Sequence, residues 1–199
     1  MRAFNPELAI ESDATTVWDT FVATPTLPST PSVPPSPVVA QLGPAHEAQF
    51  LNLQLGLDNA SRVARFGHAV GDASLIAYGK GTLSTAAFIA GVFVDGTLRG
   101  VVEVFEGNGG VYKIAFAVHQ DWRRRGFGLA LLTAAREWAQ KSGVTALRLV
   151  MSRSNWPLRN LAQKAGAQFD LSLDEIRADI PVAKRHCSLA AAHLEEIYT

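Results

Sequence analysis

VHQDWRRRGFGLALL, Val118–Leu132, sets three arginines ahead of a Gly-Phe-Gly and then turns apolar. The residues leading into it, VYKIAFAV (Val111–Val118), are apolar and β-rich and predict a strand. After Gly126 the period changes. Leu131, Leu132, Ala135, Trp138 and Ala139 fall on one face of a helix. A strand therefore meets a helix start through a basic, glycine-bearing loop. The first amides of a helix have no internal acceptor, and the aligned peptide dipoles leave about half a positive charge there. Glycines let a ligand reach the backbone without meeting a Cβ. Arginines add charge-assisted hydrogen bonds suited to phosphate oxygens. The junction reads as an anion site, with a phosphate or diphosphate seated at Arg123–Ala130. The Walker spacing is absent, and the dinucleotide pattern would need a third glycine and a parallel start.

Working outward toward the C-terminus, Gly143 ends the helix and Ala146–Met151 (ALRLVM) reads as a buried strand. Leu158, Leu161, Ala162 and Ala165 repeat at helical spacing, with Asn155 and Pro157 at the start and Gly166 past the end. AQFDLSL and IRADIPV predict a last hairpin across Asp174-Glu175, and SLAAAHLEEIYT a helix capped by Ser188. Toward the N-terminus, LRGVVEVFE and AAFIAGVFV complete a three-stranded antiparallel meander through the turns GNGG and DGT. Before it come three helices: one over roughly Ala45–Leu55, one capped by Asp58 and ended by Gly67, and a short one, ASLIAYGK, capped by Asp72. Thr24–Pro37 holds six prolines. Proline lacks the donor that helices and central strands need, so residues 1–37 read as an extended arm and 38–199 as the compact domain.

Lysine plus arginine balances aspartate plus glutamate, 18 each among 199 residues. Nothing global points to nucleic acid or an acidic membrane, so any electrostatic function is local. The single cysteine, Cys187, excludes an internal disulfide framework and a multi-cysteine metal site, and no metal is expected. No apolar run reaches bilayer-spanning length, and the acidic first residues lack a secretory pattern. A cytoplasmic protein is the expectation.

Val118–Leu132 resembles the acetyl-CoA diphosphate loop of the GNAT N-acetyltransferase superfamily, with Arg123, Gly126 and Gly128 in its basic-x-x-Gly-x-Gly signature. NWPLRNLAQKAG, Asn155–Gly166, is similar to the family's second signature, and the two come in family order with a strand between. The resemblance spans about 140 residues, Ala45–Val182. It implies an α/β fold with a mixed, mostly antiparallel central sheet flanked by helices. It implies acetyl-CoA as co-substrate and a primary amine, of a small molecule or a protein, as acceptor. Arg123, Arg124, Arg125, Gly126, Phe127, Gly128, Leu129 and Ala130 would surround the diphosphate. The backbone of Phe116, Ala117 and Val118 would pair with the pantetheine arm, in a gap where this strand splays from ALRLVM. Asn155 would bond the arm near its thiol end.

Attack by an amine needs a neutral nitrogen and a donor for the developing oxyanion, for which the Val118 backbone amide is the natural candidate. Where many relatives have a tyrosine to protonate the thiolate, this chain has Ala162. Where some have a strand glutamate, it has Tyr112 and Lys113. Glu103 faces opposite to Val102 and Val104 by strand alternation. It is either a proton acceptor in the cleft or a solvent-facing residue. His68 and Arg65 lie where the family's acceptor pocket is lined; Arg65 would recognise an acceptor carboxylate or solvate a helix end. The alternative to an enzyme is a regulatory module that holds acyl-CoA and catalyses little. The arm and the last helix are candidate contacts for a homodimer.

Overall fold

The computed structural model describes residues 37–171 and 175–182. The proline-rich arm through residue 36, Asp174 in the last turn, Cys187 and the Ser188-capped segment lie outside the described residues. In chain order the elements are β1 (Val38–Gln41), a 3-10 turn (Pro44–His46), α1 (Glu47–Leu55), α2 (Asn59–Phe66), α3 (Asp72–Thr85), β2 (Phe88–Val94), β3 (Thr97–Phe105) and β4 (Val111–Val118). A second 3-10 turn (Gln120–Trp122) leads to α4 (Phe127–Lys141), β5 (Ala146–Ser152), α5 (Trp156–Lys164), β6 (Gln168–Asp170) and β7 (Glu175–Pro181). The strands form one seven-stranded sheet in the order β1-β2-β3-β4-β5-β7-β6. Every pair is antiparallel except β4 with β5. The fold is the mixed, mostly antiparallel α/β sheet flanked by helices that the sequence implied.

Strand alternation sorts the side chains into two cores. On one face, Val102, Val104 and Ile114 pack with Phe127, Leu131, Leu132 and Ala135 of α4 and with Leu147, Leu149 and Ile176. On the other, Leu98, Val101 and Ala117 pack with Phe50 and Leu53 of α1.

Two expectations are corrected. The third helix is longer than ASLIAYGK and runs to Thr85 through Gly79 and Gly81. A Cβ at Gly79 would lie 2.2 Å from Leu51 Cδ2, so the Leu51 side chain of α1 packs directly over the α3 backbone where glycine leaves room for it. Its N-cap is Gly71, and Asp72 instead pairs with Arg62 at 2.6 Å. Arg62 also donates to the Leu55 and Leu57 carbonyls, so one side chain ties the three helices together. The Asp58 cap is as expected: its carboxylate accepts from the Ser61 amide at 2.7 Å.

Candidate active site

The parallel pair β4–β5 holds for three residues only, Val111–Lys113 against Ala146–Arg148. Past that point β5 runs on with β7 and β4 with β3, and a gap opens between them. The hydrogen-bond phase of β4 follows from its end. His119 donates to the Arg99 carbonyl at 2.9 Å, and Val118 is opposite Gly100. Residues of an antiparallel ladder alternate between bonded and non-bonded pairs. Ala117 and Ala115 therefore spend their backbone groups on β3, while those of Phe116 and Val118 point away from it, toward the gap. The Val118 carbonyl accepts from Arg123 Nε at 3.3 Å.

The gap leads to the start of α4. Gly126, its N-cap, has φ +83, contributes no capping side chain and would place an added Cβ in open space. Leu129 and Ala130 both donate to the Gly126 carbonyl, so the amides of Phe127 and Gly128 precede the first acceptor. Arg124, with φ +63, and Gly126 are both left-handed. This open, uncapped end joins the gap in one cavity of about 710 Å³. Ile114–Val118 form one wall, Leu149, Val150 and Ser152 the opposite one, and Asn155, Asn160 and Lys164 the floor near α5. Ala60, Ser61, Ala64 and Arg65 of α2 close the far side.

Most of the expected site residues meet here: Phe116, Ala117, Val118, Arg123, Arg124, Gly126, Phe127, Gly128, Leu129, Asn155 and Arg65 all line the cavity. Asn155 also accepts from the Leu158 amide at 3.3 Å and so caps α5. Arg123 reaches back to the Ser61 hydroxyl, which in turn bonds Asp58. Those Ser61 bonds hold the Asp58 carboxyl below its usual range.

Four expected residues, Arg125, Ala130, His68 and Glu103, are not brought to the cavity. The left-handed turns turn Arg125 aside: its guanidinium lies 4.6 Å over the Trp122 ring, with Arg99 4.8 Å from the same ring. The Ala130 amide is used inside the helix. His68 follows the α2 C-terminus, is exposed and does not line the cavity.

Glu103 is neither solvent-facing nor part of the cavity wall. It is fully buried, at 0% exposure, on the face shared with Val101 and Ala117. Arg65 Nη2 donates to Oε2 at 2.8 Å, the Tyr78 hydroxyl bonds the same oxygen, and Gln54 Nε2 reaches Oε1 at 3.4 Å. Burial, then Glu103, pushes the Tyr78 phenol above its ordinary value. Burial opposes the charge on Arg65, but Glu103 and Tyr78 outweigh it and raise its pKa. Sequence reasoning missed Tyr78 and Gln54 altogether. It also missed Ser61, whose position three residues after the Asp58 cap is a readable signal.

An extended gap edged by β4 backbone groups turned away from β3, ending on an uncapped glycine-rich helix start, suits an arm with amide groups and an anionic end. The GNAT acetyltransferase family model matches residues 60–167. The chain belongs to the GNAT acetyltransferase family, whose co-substrate is acetyl-CoA. The fold is shared with the GNAT domain of PAT from S. lividans, at 14% identity and a TM-score of 0.63, over 72% of this chain and 89% of that one. It is shared with PaiA N-acetyltransferase from Thermoplasma acidophilum, solved in complex with coenzyme A: 14% identity, TM-score 0.57, 73% of this chain and 99% of that one. It is shared too with an alanine N-acetyltransferase of a ribosomal protein from Escherichia coli: 14% identity, TM-score 0.56, 77% and 99% covered. No curated protein sequence matches the chain.

Proposed function

We propose that the protein is an N-acetyltransferase that holds acetyl-CoA and a primary amine together and passes the acetyl group directly between them. The acceptor is an amine of a small molecule or of a protein. One observation carries this reading: the β4 edge at Phe116 and Val118, which no longer pairs with β5, runs into the uncapped start of α4 within one cavity. The edge offers the pantetheine arm a strand to pair with. The amides of Phe127 and Gly128, with Arg124 beside them, offer the diphosphate its donors. Asn155, at the α5 start, faces the arm's thiol end. Acetyl-CoA supplies an acyl thioester, whose carbonyl oxygen gains charge as nitrogen adds. The Val118 amide, aimed into the gap, donates to that oxygen.

A second reading has one observation in its favour. Among the described residues lining the cavity there is no Asp, Glu, His, Cys or Tyr, and the tyrosine position of relatives is the buried Ala162. A regulatory module that holds acyl-CoA without turnover would need no such group. Melting with and without coenzyme, paired with thiol release over a panel of amines, separates the two. An enzyme gives both a melting shift and turnover, and a module only the shift. At a hundredfold excess over Kd the coenzyme stabilises by about 2.7 kcal/mol. Absence of any shift refutes both.

A further inference from the structure

The second 3-10 turn and the arginine after it are fastened to the corner between α1 and α2 at two points. Gln120 Nε2 donates to the Gly56 carbonyl at 3.3 Å, and Arg123 Nη2 donates to the Ser61 hydroxyl. The Asp58 carboxylate stands behind that hydroxyl. Chemistry sets the direction of this chain. A guanidinium only donates, and an ionised carboxylate only accepts. The one proton of the hydroxyl therefore goes to Asp58, and a lone pair is left for Arg123. Asp58 stays ionised because the Ser61 side-chain and amide bonds hold its carboxyl below the usual range, with the charge of Arg123 acting the same way.

Capping does not account for the Ser61 hydroxyl, because Asp58 already caps α2 through the Ser61 amide at 2.7 Å. Stability does not account for Arg123, which is exposed. Ordering a long exposed side chain costs rotamer freedom that a surface contact offsets poorly. What the arrangement secures is position. Arg123 Nε donates to the Val118 carbonyl at 3.3 Å, so the guanidinium is pinned through Nε and Nη2 between the end of β4 and α2. Nη1 stays outside both bonds. Arg123 and Ser61 both line the cavity, beside the α4 start. A charged donor held still before a ligand arrives spares that ligand the entropy of ordering it.

Resting on the reading of this cavity as the coenzyme's, we propose that Ser61 is a positioning residue for coenzyme binding: its hydroxyl, turned by Asp58, holds Arg123 ready beside the diphosphate. Ser61 acts through Arg123. The helix that closes the far side of the cavity thus sets how tightly the coenzyme is held at the α4 start, although it lies 62 residues from Arg123 in the chain.

The test measures Kd for coenzyme A and for ADP by calorimetry on the full chain, on Ser61→Ala, Ser61→Thr and Arg123→Ala, and on the double variant Ser61→Ala with Arg123→Ala. Ser61→Ala should weaken both ligands about three- to tenfold, the cost of ordering one long side chain. Ser61→Thr keeps a hydroxyl and should restore most of the parent affinity. In the Arg123→Ala background the loss on Ser61→Ala should vanish, to within about twofold. Cooperative urea unfolding certifies that each variant is folded. Unchanged or tighter binding by Ser61→Ala would overturn the proposal. So would an equal loss in the Arg123→Ala background, which would mark Ser61 as a support of the fold alone. Parent-like affinity in Arg123→Ala would overturn it as well, with the coenzyme reading intact. A parent chain that binds no coenzyme would remove that reading and the proposal together.

Discussion

Glu103→Gln removes one charge from the most deeply buried ionic contact described, keeps the side chain's shape, and so isolates the value of the pair. Glu103 is 0% exposed and the Arg65 side chain 11%. Removing one partner of a buried pair costs about 3–5 kcal/mol, because the other charge is left uncompensated. Arg65 borders a cavity that admits water, which places Glu103→Gln near the lower end, about 3 kcal/mol. Arg65→Gln strands Glu103 with Tyr78 and Gln54 only, and should cost about 4 kcal/mol. The double variant leaves no charge stranded. It should cost less than the sum by about 2 kcal/mol or more. Urea unfolding followed by tryptophan fluorescence reads each value, and Glu103→Gln should lower Tm by about 6–12 °C. A Glu103→Gln variant within about 0.5 kcal/mol of the parent, or strictly additive effects, would refute the account of Glu103 as the anchor of Arg65.

Two further outcomes follow from the same geometry. The folded state holds the Tyr78 phenol above its unfolded value, so its contribution to stability is complete below about pH 10 and is lost as pH rises beyond that. Urea midpoints should fall above about pH 10, and Tyr78→Phe should flatten that decline; parallel curves would contradict the placement of the phenol. Gly128→Val sets a Cβ at 3.4 Å from Leu161 Cδ2, an ordinary contact, while filling the mouth of α4. The fold should persist by circular dichroism and coenzyme affinity should drop tenfold or more by thermal shift. Undiminished affinity would move the diphosphate elsewhere.

The α4 junction was legible because its chemistry is local. Arg123, Gly126 and Gly128 act through spacing along one stretch of chain, and the unmet amides belong to any helix start. The placement of Arg125 and Ala130 off the cavity is local too: residue types do not reveal that Arg124 would join Gly126 in left-handed geometry. β1 was missed because four edge residues carry little pattern. Alternation correctly set Glu103 opposite Val102 and Val104, yet both faces of β3 are covered. Which one carries a buried charge depends on Arg65 and Tyr78, 38 and 25 residues away, and no spacing rule links them. The splay of β4 from β5 entered through family resemblance alone, since strands separated by a whole helix leave no trace of how far their pairing extends.

The three-residue seam between β4 and β5 has a mechanical consequence. The sheet is two leaves, β1–β4 and β5–β7–β6, sewn together at one end. A guest lying along the open end would act as a second row of stitches, so loading should stiffen the whole molecule and not merely the pocket's rim. Rigidity here is shared between the polypeptide and what it carries, and the emptied protein is left as the looser partner of that pair.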